Sequence, residues 1–406
     1  MSVGEAIQPS EEPDARPESG LWPLTGYFLK LGTIGFGGPA ALVGYMHRDL
    51  VERRRWLDAE TYQLALALAQ IMPGPLAAQT AIAIGYFQAG ALGATLVGLA
   101  FVLPSFLMVI ALSVAYVSFG GLWWMQALFY GIGAAVIAII AIAAYKLARS
   151  TNKRDPLLWG IFAVVMVATA WLETELAELF LGAGLLVLVL RAWPGWARGV
   201  AVGLVCLSLG LAAWTIEAWS RQSSTDVGSV LAQILVFFTK AGAFVFGSGL
   251  TIVPFLQQGV VREFHWLTEQ QFLDAVAVAM ITPGPVVITV AFIGYLVAGF
   301  AGATLAAVGI FLPVYVFTIV PAPWFRRHRE NPQLRAFVQG TTAAATGAIT
   351  GAVIVLGARS IFDIPTGIIG VVTLGLLWRF KLQEPVVVTA AGVVGLIVWP
   401  LLRGVG

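Results

Sequence analysis

Apolar runs long enough to cross a bilayer restrict this chain more than any other feature. They fall near 21–46, 60–88, 90–118, 121–146, 157–172, 175–191, 197–219, 228–256, 270–297, 299–321, 334–357, 361–379 and 385–402. A helix needs roughly 20 mostly apolar residues to span the hydrocarbon core. The runs are continuous rather than alternating, which argues against a β-barrel. Of 406 residues, 59% are hydrophobic and only 11% charged, where a soluble domain carries about 25% charge. That balance excludes a soluble enzyme, a nucleic-acid binder and a disordered chain. The expectation is an all-α polytopic membrane protein with the lipid bilayer as its main solvent.

Little in the chain points to covalent or metal chemistry. Cys206 is alone, so it forms no intrachain disulfide, and His47, His265 and His328 all lie in polar stretches between runs. No GxxxxGK[ST], HExxH or GxSxG pattern occurs. The reading is therefore a non-enzyme without catalytic residues, metal or cofactor. Residues 1–20 are polar and acidic, unlike a secretory signal, and read as a solvated tail.

An internal repeat organises the rest. Lys30-Leu-Gly-Thr-Ile-Gly-Phe-Gly-Gly-Pro39 aligns with Lys240-Ala-Gly-Ala-Phe-Val-Phe-Gly-Ser-Gly249. The register holds through Trp56-Leu57 and Trp266-Leu267 to Pro73-Gly74-Pro75 and Pro283-Gly284-Pro285. After one deletion it continues through Ile84-Gly85-Tyr86 and Ile293-Gly294-Tyr295 to Leu103-Pro104 and Leu312-Pro313. Self-similarity at a fixed offset signals duplication. The boundaries are a first repeat at 21–191, a linking helix and loop at 192–227, and a second repeat at 228–406.

The charges suggest that the halves are inverted. Arg48, Arg53, Arg54 and Arg55 follow the first run, whereas the matching loop around 258–265 keeps Arg262 alone. Arg326, Arg327, Arg329 and Arg335 have no charged counterparts at 117–126. Cytoplasmic loops collect Lys and Arg, so equivalent loops fall on opposite sides. Placing every basic loop inside requires 21–46, 60–88, 228–256 and 270–297 to enter and return on one side. Nine crossings and four re-entrant hairpins result, with the N-terminus cytoplasmic and the C-terminus outside. Thirteen full spans is the competing topology and gives the termini the same sides.

Each return segment carries a Gly or Pro break at its middle. Proline removes a backbone donor and clashes with the preceding turn, so Pro73-Gly74-Pro75 and Pro283-Gly284-Pro285 should interrupt their helices. Gly35, Phe36, Gly37, Gly38 and Pro39 should do the same, as should Phe246, Gly247, Ser248 and Gly249. Breaks expose helix N-termini, whose free N–H groups and dipole favour anions. Matched breaks in two inverted halves mark a substrate site near the midplane; packing glycines and ordinary kinks are the alternative. Gln79, Thr80, Thr282, Thr289, Ser248 and Thr251 lie close by as hydrogen-bond donors for a tetrahedral oxyanion, or as helix contacts. Lys30 and Lys240 occupy one repeat position and either flank an anion or snorkel to the headgroups. Asp274, opposite Leu64, reads as a proton carrier or, more simply, an interfacial helix cap. Trp22, Trp56, Trp123, Trp124, Trp266 and Trp324 at run ends fit an interfacial belt.

These motifs resemble the chromate ion transporter family. Gly35-Phe36-Gly37-Gly38-Pro39 followed by Met46, the Trp56-Leu57 pair and Pro73-Gly74-Pro75 carry the resemblance, with degenerate copies at 246–249 and 283–285. It runs from about residue 20 to the C-terminus, in the long two-domain form. It implies a bacterial inner-membrane protein that exports chromate and confers chromate resistance, with sulfate as competitor or alternative substrate. A homodimer is a possible assembly. By residue pattern alone, a secondary transporter competes with a channel or lipid-handling protein, and an intramembrane enzyme fits least.

Overall fold

The computed structural model describes residues 20–36, 38–119, 123–172, 177–192, 230–243, 246–247, 249–328, 332–361, 363–380, 382 and 384–403. The run at 197–219, most of the linking segment, the polar tail, Gly37 and Ser248 lie outside the described residues. The first half contains α1 (Leu21–Ile34) and α2 (Gly38–Met46), which runs on as a π-helix over His47–Arg53. Then come α3 (Ala59–Ile71), the short strand β1 (Gly74–Pro75), α4 (Leu76–Phe119), α5 (Trp123–Asn152), α6 (Pro156–Leu172) and α7 (Ala177–Ala192). The second half begins with α8 (Val230–Ala243), β2 (Phe246–Gly247), a 3-10 turn (Gly249–Ile252) and α9 (Val253–Gln257), which becomes π-helical over Gln258–Glu263. It continues with α10 (Glu269–Ile281), a 3-10 turn (Val286–Ile288), α11 (Thr289–Ile319), α12 (Ala322–His328), α13 (Pro332–Ser360), α14 (Ile364–Phe380) and α15 (Glu384–Arg403). The all-α expectation holds, and helices stop at the Gly and Pro motifs.

Local chemistry fixes where they stop. Asp58 caps α3 by accepting from the Thr61 N–H at 2.8 Å, and α3 ends at Ile71, ahead of Pro73. The matching α10 opens on a capping box between Thr268 and Gln271 and ends at Ile281, ahead of Pro283. The residue before a proline is pushed out of helical geometry, and Met72 and Thr282 are both extended.

The duplication is visible in the backbone. Within α4, Ala89 and Gly90 leave helical geometry at φ/ψ −145/30 and 61/−150. Within α11, Ala298 and Gly299 do so at −145/30 and 61/−151. Each pair is a sharp reversal, because Gly85 packs on the backbone of Gly93, and Gly294 on that of Gly302. Eight residues of straight helix would hold such positions about 12 Å apart. Arg55 and His265 share a left-handed conformation at φ 53 and 51, 210 positions apart.

The broken segments double back. The Gln88 side-chain amide donates to the Trp56 carbonyl at 3.3 Å, so both ends of the 56–88 segment lie together. Arg54 stacks on Tyr27, which joins the middle of α1 to the end of the helix that follows its break. In the second half Phe237, the counterpart of Tyr27, stacks on Phe255 and meets Phe264 and Trp266 edge-on. Arms of 13 or 14 residues span about 20 Å, short of a core roughly 30 Å thick.

Among the described residues, five helices are long and apolar enough to cross a membrane: Leu76–Phe119, Trp123–Asn152, Val286–Arg326, Arg335–Ala358 and Glu384–Leu402. Leu92, Leu99, Leu103, Leu107, Val114 and Val117 form an exposed apolar stripe on α4. Ile364, Ile368, Val371, Val372 and Trp378 do so on α14. Such faces suit lipid rather than water. The long helices trade partners: α5 packs on α14 and α15, and α13 packs on α6 and α7. Small residues permit the close approach, with Gly131 against the Ala391 carbonyl and Gly340 against that of Ala183.

Candidate functional site

The breaks meet between the halves, each PGP against the Phe-Gly segment of the other half. β1, from the first PGP, pairs in parallel with β2, from the second Phe-Gly segment, as Gly74 with Phe246 and Pro75 with Gly247. On the other side, the N–H of Gly284 in the second PGP donates to the carbonyl of Gly35 at 3.1 Å. PGP of one half thus crosses the Phe-Gly segment of the other, twice, which is the pattern of a self-complementary two-fold contact.

Backbone requirements at this crossing are severe. Gly74 and Gly284 have φ of 148 and 100, a region L side chains rarely occupy. A Cβ on Gly74 would strike the Gln79 side chain, and one on Gly284 would strike the Ser105 hydroxyl. Gly35 is equally confined, between the Leu31 carbonyl and the Leu42 side chain. Gly249 is buried, Phe36 and Pro39 are half-buried, and Pro73, Pro75, Pro283 and Pro285 flank the crossing. Gly38 opens α2. Side-chain surroundings of Phe246 and Thr251 lie outside the described residues.

Among the described residues, polar groups near the crossing are few and neutral. Gln79 is fully buried; its Nε2 donates to the Pro73 carbonyl at 2.7 Å, while its Oε1 has no partner. The expected threonine donors are engaged locally. Thr80 donates to Leu76 O at 2.7 Å, Thr282 to Ala279 O at 3.1 Å, and Thr289 to Val286 O at 2.8 Å. Their protons face their own helices rather than the centre. Ser105, fully buried, reaches the Gly32 carbonyl at 3.5 Å beside Gly284. Sequence reasoning missed Ser105 because Val314 holds its repeat position; only its place after Pro104 pointed there.

Lys30 and Lys240 both lie on exposed helix faces, outside the buried groups of the crossing. The cap reading of Asp274 is corrected. Thr268 caps that helix, and Asp274 sits in its second turn, 4% exposed. Among the described buried residues Asp274 is the one acidic or basic side chain. No group of three His, Cys, Asp or Glu among the described residues could hold a metal. What the crossing offers an ion is therefore backbone. Two helical segments, starting at Leu76 and Val286, open there with buried first turns, and the first N–H groups of a helix have no carbonyl partners within it.

The chain is similar to known proteins along its whole length. A chromate transport protein of Cupriavidus metallidurans is 59% identical over 388 residues, covering 95% of each chain. A probable chromate transport protein of Synechococcus elongatus is 55% identical over 390 residues, covering 94% of this chain and 97% of that one. The uncharacterized transporter YwrA of Bacillus subtilis is 25% identical over 173 residues, which is 42% of this chain but 97% of the relative. No solved structure matches. The chromate transporter model matches residues 22–212 and 232–396, and with these relatives it places the chain in the chromate transporter family.

Proposed function

We propose that this protein exports chromate from the bacterial cytoplasm by alternating access, with the anion held at the crossing of the four breaks. The observation that carries the reading is the reciprocal pairing of PGP and Phe-Gly segments between the halves. It brings helix N-termini to one buried, uncharged place, and such termini bind oxyanions without a cationic side chain. Gly35, Phe36, Gly38, Pro39, Pro73, Gly74, Pro75, Gln79 and Thr80 belong to it from the first half. The second half contributes the Phe246–Gly247 strand, Gly249, Thr282, Pro283, Gly284 and Pro285, and Ser105 joins them.

Two repeats, 21–191 and 228–406, make the machine, and a relative the length of one half supports that division. The charge swap between matching loops supports opposite orientations in the inner membrane, with the N-terminus cytoplasmic and the C-terminus periplasmic. The doubled-back segments then enter and leave on one side. A dianion leaving a cell that is negative inside moves electrically downhill, so export needs no nucleotide. The absence of catalytic motifs fits a carrier rather than an enzyme.

Chromate accumulation in everted membrane vesicles tests the reading. The expected result is accumulation that excess sulfate, a near-isostere, suppresses. Well-inserted, energised vesicles that accumulate no chromate would overturn it. Accumulation without any counter-transport on preloading would indicate a channel.

A further inference from the structure

Away from the breaks, a buried carboxylate joins the halves. Asp274 Oδ2 accepts from the Tyr116 hydroxyl at 2.7 Å, and Oδ1 accepts from the Gln270 amide at 2.9 Å. Tyr116 belongs to the last turns of α4 in the first half, held edge-on by Phe129 and Phe292. Neither helix geometry nor packing calls for an acid here. Thr268 and Gln271 cap α10 without it, and Leu64 fills the matching place in α3.

Charges on the surrounding elements are engaged elsewhere. Lys146 of α5 lies within electrostatic reach of Glu384 of α15, and Arg149 bonds Tyr145. Glu269 accepts from Gln257, Arg262 and Glu263 are exposed, and α11 carries no Asp, Glu, Lys or Arg. Tyr116 and Gln270 are thus the described groups that reach the carboxylate. Gln270, one turn nearer the start of the helix, is exposed, which leaves a short way in from the aqueous side. Eight residues separate Asp274 from Thr282, about 12 Å along a helix, and that helix ends in the crossing. Acidic groups inside a membrane domain mark ion pathways and proton relays.

We propose that Asp274 is the proton site of this transporter, loaded when an oxyanion dianion occupies the crossing. The proposal rests on the transport reading above. Repulsion between a dianion and the carboxylate favours taking a proton from water onto an Asp274 oxygen. The Tyr116 hydroxyl, until then a donor to that carboxylate, turns to accept from the new O–H, and so reports the change to the other half. Proton and anion are released together, so one net negative charge crosses per dianion instead of two.

The test uses purified full-length protein in liposomes, with the membrane voltage clamped by potassium and valinomycin and a pH dye inside. Wild-type protein should carry a proton with each chromate taken up and acidify the interior, and its flux should rise as the pH on the loading side falls. Asp274→Asn should lose both the acidification and the pH dependence while chromate still moves downhill. Tyr116→Phe keeps the carboxylate but removes a donor to its charged form, so its pH profile should shift upward by about one unit. That variant also serves if Asp274→Asn does not insert. Acidification that persists in Asp274→Asn, or wild-type chromate flux with no proton movement, overturns the proposal. Infrared difference spectra on the same liposomes read the carboxyl directly with chromate and with sulfate. An anion-dependent protonated-carboxyl band, missing in Asp274→Asn, is expected. If wild type moves no chromate, the transport reading fails on its own, and presence or absence of that band still decides the proton site.

Discussion

At Ala89-Gly90 and at Ala298-Gly299 the two halves turn through the same angles to within a degree, yet the side chains around the two PGP breaks are not the same. Gln79 and Ser105 serve the first half, where Ile288 and Val314 stand in the second. Arg54 over Tyr27 becomes a ring stack of Phe264 and Trp266 around Phe237. Asp274 takes the repeat position that Leu64 holds in the first half. What has been kept is backbone: breaks, reversals and the left-handed residues that permit them. A symmetric frame can hold a symmetric ion such as a tetrahedral oxyanion, while differences between the halves leave room for direction and coupling.

The strongest way to break that comparison is at the two PGP glycines. Gly284→Ala places a Cβ at φ 100 and against the Ser105 hydroxyl. Backbone strain of this kind costs roughly 1–3 kcal/mol, so chromate transport should fall about tenfold or more with membrane insertion intact. Gly74→Ala meets the flexible end of Gln79 and should lose less. Adding Ser105→Ala to Gly284→Ala removes the clashing oxygen and should restore part of the flux. Vesicle uptake measures all three, and full activity in Gly284→Ala would remove the crossing from the transport path.

Much of this arrangement could be read from the chain before the fold was seen. The constant offset and the PGP tripeptides were enough to place the breaks, because proline and glycine act locally on the backbone. Charge parity led to the expectation of doubling back, since basic loops collect on the cytoplasmic side. Which break meets which could not be read, because that contact is tertiary and uses main-chain atoms. Ser105 escaped for a related reason: its counterpart is Val314, and a search by repeat sees only what both halves retain. Asp274 was noticed but misassigned, since near the start of its apolar run an acid looks like a cap until Thr268 is seen to be one.

A smaller asymmetry lies at the paired caps Asp155 and Asp363. Asp155 accepts from the N–H of Leu157 at 3.1 Å and pairs with Arg191. Asp363 accepts from the Thr366 N–H at 2.8 Å and hydroxyl at 2.6 Å, and from the Tyr130 hydroxyl. Burial pushes the Asp363 carboxyl up, but the donors from Thr366 and Tyr130 outweigh it and hold it below the ordinary carboxylate range. A depressed folded-state value means stability that is present above the unfolded value of about 3.9 and lost as pH falls through the folded one. Asp363→Ala should cost about 1–2 kcal/mol at neutral pH, and its melting temperature should fall less than that of wild type on acidification below about pH 4. Melting in detergent across pH reads both, and parallel curves would mean that the cap carries none of the acid sensitivity.

The least effect is expected where the halves agree most plainly in sequence. Lys30 and Lys240 share a repeat position but sit on exposed faces, while the residues two further on, Gly32 and Gly242, press on the Phe101 and Ile310 carbonyls. A long aliphatic stem on such a face lets the ammonium reach headgroups or water. Exposed substitutions usually change stability by less than about 0.5 kcal/mol, and Lys30→Gln and Lys240→Gln should each leave chromate flux close to wild type. Loss in one variant alone would make the charge a feature of a single half. Loss in both would return the lysines to the ion path and require that their faces line water rather than lipid when the transporter opens.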